Sequence, residues 1–339
     1  MIQSCGCGRR TALLGGLAAA VAPAANAASR GFWIDVHHHI VPPAYIDAVR
    51  RAKLDNPPMV SWTPEKSLED MDKAGTATSI TSPMPPHVGF LLPGEAAKVA
   101  RESNEWARRL AKDHPGRFGV FAMLPMPNID ESLKEIEYAF DTLKVDGIGM
   151  MTNYGDKWLG YPEFAPVFQE LNRRKAVVYT HPMSPSCCFN LVQNVPDAAV
   201  EWGADTARAI TNLIFSGASA RYKDITFIFS HGGGVITAIA ERLRLQMVNM
   251  PPYKGQFTRD TVDRELKRFY YDTAQVANDV TIQALARLVP VSRILFGTDY
   301  PYRTSAEHVA GLNARFNTTD LAAIGRYNAL RILPAWRHA

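Results

Sequence analysis

Short apolar runs alternate along the chain with longer stretches of helical periodicity. The runs predict strands at 32–36, 78–82, 118–122, 147–151, 176–180, 225–230, 269–272 and 294–296. Between them, helical patterns include 96–113, 129–143, 163–174, 205–215, 235–250 and 279–288. The segment 129–143 shows the logic: Asp130 is placed to cap, acids fill the first turn, and Ile129, Leu133, Ile136, Phe140 and Leu143 recur at helical spacing. Several strands are apolar throughout, which predicts parallel strands buried on both faces. Eight such strands separated by helices predict an α/β fold, a closed (β/α)8 TIM barrel, rather than an open doubly wound sheet. No GxGxxG follows an early strand, and the one glycine run, at 232–234, comes late and behind His231. Two stretches, 55–64 and 184–201, read as inserts after strands, where a barrel carries its chemistry.

Composition separates the first 27 residues from the rest. Twin arginines (Arg9, Arg10), an apolar stretch over 12–22 and the triplet Ala25-Asn26-Ala27 form the pattern of a twin-arginine-type export signal, with cleavage after Ala27. The apolar stretch is too short for a comfortable membrane span. The expected organisation is therefore a signal at 1–27 and a single barrel domain at 28–339, delivered to the periplasm or secreted. Loss of Arg9 and Arg10, with no acid in that segment, lowers the formal charge from +4 to +2. So small a charge argues for neither nucleic acid nor a membrane as partner. With 47% hydrophobic residues the chain has ample material for a core. Cys187 and Cys188 are the cysteines left beyond the signal, and neighbours rarely make a relaxed disulfide, so two thiols beside a pocket wall are expected.

Chemistry collects where the strands end. His37, His38 and His39 follow the first, His181 the fifth, His231 the sixth, and Asp299 the eighth. Five of the nine histidines thus fall directly behind apolar runs. His37 and His39 stand two apart, so on an extended chain both imidazoles face one side and hold one ion, while His38 points away. Asp35 shares their face by the same parity but lies deeper, where it is free to hydrogen-bond inside the barrel. Imidazole with carboxylate suits zinc, or manganese or another first-row divalent ion.

The stretches "DVHHH", "THP", "SHGGG" and "FGTDYP" resemble the amidohydrolase superfamily, in particular the branch of aminocarboxymuconate-semialdehyde and hydroxybenzoate decarboxylases. The likeness runs from residue 34 to 333, and "LNRRKAVVYTHPMSPSCC" looks most like 6-methylsalicylate decarboxylase relatives. The resemblance implies that His37, His39, His181 and Asp299 bind one metal ion and that His231 faces the substrate as acid, base or electrostatic stabiliser. Binuclear relatives bridge two ions through a lysine or glutamate behind the fourth strand; "DGIGMMTNYGD" has neither there, and Lys157 lies well beyond, so one ion is expected. Some decarboxylases of the branch carry glutamate where this chain has His37.

Three further residues are candidates for substrate binding: Arg303, whose planar fork suits a carboxylate, His87 after the second strand and Asn153 after the fourth. Trp202 is a candidate wall. The expected activity is metal-dependent, non-oxidative decarboxylation of a small aromatic or unsaturated acid, with His231 or Asp299 delivering the proton. Hydrolysis of a lactone, amide or ester would use the same residues, and a barrel that only binds its ligand is a third reading. The expected cofactor is one divalent ion, zinc ahead of manganese, with no organic cofactor. The expected partners are a small carboxylic acid or lactone and, by resemblance, a second copy in a homodimer.

Overall fold

The computed structural model describes Met1 and residues 31–338. The export-signal reading, apart from Met1, lies outside the described residues. Eight parallel strands follow one another in chain order around a single sheet: β1 Trp33–Ile40, β2 Thr76–Pro83, β3 Phe118–Met123, β4 Gly147–Met151, β5 Val177–His181, β6 Thr226–Phe229, β7 Tyr270–Asp272 and β8 Ile294–Leu295. The chain beyond β8 returns to β1: Val36 N donates to Phe296 O at 2.9 Å, Asp299 N to His37 O at 2.8 Å, and His39 N to Tyr300 O at 2.8 Å. These bonds close the barrel expected from the strand count.

The apolar runs are explained by two separate buried clusters. Ile34, Val36, Ile80, Phe121, Val177, Tyr179, Ile228 and Leu295 pack together inside the barrel. Their alternates, among them Trp33, Ile40, Val178, Phe227, Phe229 and Phe296, join the larger core beneath the helices. Both directions from each strand are apolar, so alternation disappears from the sequence. No described helix is long and apolar enough to cross a membrane.

Helices differ from the sequence pattern mainly at their ends. The helix Ile129–Tyr138 is capped by Asn128, whose side chain accepts from Glu131 N, and not by Asp130; it continues as a wider turn over Ala139–Leu143. The helix Asp197–Phe215 starts earlier than expected and takes in the end of the second insert. In the first insert, Asn56 caps a short helix, Pro57–Ser61.

β1 departs from simple alternation. Its pairing with β2 slips between Asp35 and His38, where three steps on β1 match two on β2. Ile34 and Val36 point inside, and so do His37 and His39, because the slip puts two consecutive residues on one side. Asp35 therefore falls on the face of His38 and not, as simple parity has it, on that of His37. Its carboxylate takes up the groups the slip leaves free: Oδ1 accepts from His37 N at 2.9 Å and Thr298 N at 3.2 Å, and Oδ2 from Thr298 Oγ1 at 2.6 Å. His38 reaches Asp35 Oδ2 at 3.2 Å and Ser67 Oγ at 2.9 Å and stacks on Tyr300, away from the barrel interior.

Replacing Asp35 by alanine strands the buried His37 N–H and leaves Thr298 N only a long contact, 3.4 Å, to the His37 carbonyl at the closure. The Asp35→Ala protein should lose about 2–4 kcal/mol of stability, read from urea melts; an unchanged midpoint would show that the seam does not need this carboxylate.

Candidate functional site

The slip in β1 delivers His37 and His39 to the C-terminal mouth of the barrel, where His181 ends β5 and Asp299 follows β8. One donor atom from each of these four buried residues lies within 4.8 Å of every other. His37 Nε2 and His39 Nε2 are 3.2 Å apart, and each lies 3.2 Å from Asp299 Oδ1. His181 is tied back by Nδ1 to the Pro182 carbonyl at 2.8 Å, which leaves Nε2 buried and without a hydrogen-bond partner. Asp299 Oδ1 likewise has no hydrogen bond of sound geometry. Three imidazole nitrogens and a carboxylate oxygen, buried and convergent, are a donor set for one divalent cation. No other such group of His, Cys, Asp and Glu occurs among the described residues, and no glutamate joins this one.

The surrounding hydrogen bonds aim the ligands. His37 Nδ1 lies 2.7 Å from Asp272 Oδ2, so the ring keeps a proton there and Nε2 is the nitrogen it would offer an ion at the centre. Asp272, the last residue of β7, also accepts from His231 N at 2.9 Å and Ala274 N at 3.0 Å. Gly297 permits this approach, since a Cβ there would meet Asp272 Cβ at 2.8 Å and His37 Cβ at 2.9 Å. Asp299 Oδ2 accepts from the Gln275 side-chain amide and lies 3.4 Å from His231 Nε2. Both Asp299 and His231 hold left-handed backbone, φ 64° and 51°. Asp272 and Gln275 are absent from the sequence reading. Asp272 had a signal, its place at a strand end, whereas Gln275 carries none.

Electrostatically the cluster is built around a positive charge. Burial works against a charged His37, but the Asp272 and Asp299 carboxylates outweigh it and push its pKa up to about 10. Burial acts to raise the Asp299 carboxyl, yet the His37 charge, with the ring nitrogens of His231, His37 and His39 close to its oxygens, holds it well below the usual carboxylate range. Burial keeps His39 and His181 neutral, with the charge of neighbouring histidines adding to the effect. In the ion-free protein a proton on His37 thus occupies the electrostatic place of the cation.

Residues 34–335 match the amidohydrolase family. The chain belongs to it. A 6-methylsalicylic acid decarboxylase of Aspergillus aculeatus is 36% identical over 327 residues, 90% of this chain and 97% of its own. A solved structure described as amidohydrolase II aligns with a TM-score of 0.82 at 26% identity, covering 89% of this chain and 99% of that one. A 5-carboxyvanillate decarboxylase of Novosphingobium aromaticivorans, solved with bound manganese and 3-methoxy-4-hydroxy-5-nitrobenzoic acid, has the same fold at a TM-score of 0.79 and 20% identity, covering 90% and 97%.

In this amidohydrolase a cavity of about 710 Å³ adjoins the ligands. Trp202, in its wall, stands edge-on to His181 with ring centres 5.5 Å apart, and Tyr302 meets His39 at 6.2 Å. Phe90, Met183, Phe189 and several prolines make the lining largely apolar, and no lysine or arginine belongs to it. Asn153, behind β4, lines the cavity. Arg303 does not: half-exposed, it gives its Nε to Glu307 at 2.5 Å, an i,i+4 pair on the surface. His87 is buried rather than solvated, in the loop whose neighbours Pro85, Pro86, Gly89 and Phe90 line the cavity, but it is not itself among the lining residues. Burial pushes its pKa down to about 3. The two thiols behave as expected: Cys187 and Cys188 are free, at the turn beside cavity residues Ser186 and Phe189.

Two measurements check this centre. Asp272→Asn should weaken divalent-ion affinity roughly 10- to 100-fold in competition with a chelating dye. Separately, the His37 proton stabilises the ion-free fold fully below pH 6.5, and that contribution is lost as pH rises through about 10. The ion competes with the same proton, so the gap in Tm between loaded and ion-free protein should widen from pH 6.5 towards 10. A constant gap would remove His37 from the ligand set.

Proposed function

We propose that this amidohydrolase is a metal-dependent, non-oxidative decarboxylase of a small aromatic acid, a hydroxybenzoate in the first instance. The observation that carries the reading is the apolar, aromatic cavity whose wall residues Trp202 and Tyr302 stand against the ligands His181 and His39, and whose lining has no cationic side chain. A flat ring suits such walls, and the countercharge for its carboxylate would come from an ion at the cluster behind Trp202 and Tyr302. His37, His39, His181 and Asp299 would hold the ion, zinc by the preference of imidazole, with manganese as the alternative that the solved relative contains. Bound there, the ion supplies the positive charge that draws the carboxylate and a neighbouring ring oxygen and withdraws electron density from them.

The protein's own groups do the rest. Trp202, Met183 and Phe90 exclude water and hold the ring. Asp299 is kept ionised and is a poor acid, so the proton falls to His231, part-buried with its Nε2 against Asp299 Oδ2. His231 gives that proton to the ring carbon bearing the carboxylate. The carbon–carbon bond then breaks, its electron pair restores the aromatic ring, and CO₂ leaves. Hydrolysis would employ the same residues, but the relatives that match over most of the chain are decarboxylases.

The test is an incubation of the ion-loaded protein with hydroxybenzoates and lactones in heavy water, following CO₂ and acid release together. CO₂ release with deuterium at the vacated carbon is expected; acid release without CO₂ would replace the decarboxylase with a hydrolase. His231→Gln should cut CO₂ release about 100- to 10,000-fold while metal content stays unchanged. Export also belongs to this proposal, supported by the Arg9–Arg10 pair and the Ala25-Asn26-Ala27 triplet. Protein recovered from the periplasm or medium should begin at Ala28 by intact mass.

A further inference from the structure

Behind β4 the chain makes a two-residue hairpin, Asn153–Tyr154 against Lys157–Trp158, which sets Asn153 into the cavity wall with one end of its amide committed. Nδ2 donates to the Met183 carbonyl at 2.9 Å and to Asp205 Oδ2 at 2.7 Å. Oδ1 is buried and has no partner. Turning the amide over would set Oδ1 against two acceptors and strand Nδ2 without either. A carbonyl never donates, so this sense of the amide holds whatever proton Asp205 carries. Asp205 is itself immobilised: wholly buried, it accepts from Trp158 Nε1 at 2.7 Å on Oδ1 and from Thr152 Oγ1 on Oδ2. The serine hydroxyls in the same wall rotate to donate or accept, whereas Asn153 offers an acceptor only.

We infer that Asn153 selects aromatic acids that present a hydrogen-bond donor, a ring hydroxyl or amino group, to its Oδ1, and that Asp205 is the positioning residue that fixes the amide in that sense. The inference rests on the aromatic-acid reading of the cavity. A substrate with a donor satisfies a buried acceptor that the protein leaves unpaired. One with an ether or fluorine at that position sets acceptor against acceptor.

The test measures binding as well as turnover, so that it does not depend on the chemistry. Ion-loaded protein is titrated with benzoates carrying hydroxyl, amino, methoxy or fluoro groups at each ring position in turn, and CO₂ release is followed on the same set. At one position, hydroxyl and amino compounds should bind roughly 10- to 100-fold more tightly than methoxy and fluoro ones, with the effect in KM more than in kcat. Asn153→Leu should bring that ratio close to one and leave the other ring positions alone. Asp205→Asn takes away one of the two acceptors that hold Nδ2 and should lower the ratio, though less than Asn153→Leu, because the Met183 carbonyl still holds the amide; Asn153→Leu decides alone if that variant does not fold. A donor preference that survives in Asn153→Leu, or its absence at every position in the unmodified protein, overturns the inference. Donor-selective binding without CO₂ release upholds it and overturns the decarboxylase reading instead.

Discussion

A β-strand offers its side chains two directions, and β1 must place apolar residues and metal ligands in the same one. Ile34 and Val36 fill the barrel interior; His37 and His39 must follow them inward, although strict alternation would turn them out. The slip between Asp35 and His38 resolves the conflict by spending one residue on a change of phase. Everything at the mouth depends on it. The freed backbone N–H of His37 is given to Asp35, and the same carboxylate binds Thr298, so the change of phase and the closure of the barrel share one anchor.

Above that anchor the design is one of unbalanced charge. Asp272 and Asp299 bracket His37, and the neutral rings of His39 and His181 offer lone pairs but no countercharge. A site of this kind is incomplete without a cation, and in its absence it recruits a proton. The cavity beside it is the complement, apolar and without lysine or arginine in its lining. Attraction for an acid is thereby concentrated at the ligand cluster, where a bond to the carboxylate is to be broken, and not spread along the entrance.

What the sequence reveals follows from how local each feature is. The eight strands and the histidines behind them are legible because buried parallel strands are apolar on both sides and the polar residue that ends each run stands out. The face of Asp35 is not legible, since a slipped register leaves no mark in composition. Arg303 reads as a carboxylate clamp by position and chemistry, but its partner Glu307 stands one helical turn away and claims it first. The clamp of Asn153 by Asp205 joins a hairpin to a helix 52 residues distant, and nothing near either residue announces the other.

Three of the four ligands, His37, His39 and Asp299, sit where the first strand meets the chain that follows the last, with Thr298 lying 261 residues beyond His37. An ion held there is a clasp across the two ends of the domain. Like any cross-link between remote positions, it restricts most the unfolded chain that has furthest to wander. It also cannot form on a nascent chain whose final strand has yet to arrive. A four-ligand ion is thus a mark of barrel closure, since its last ligand arrives only with the chain behind β8.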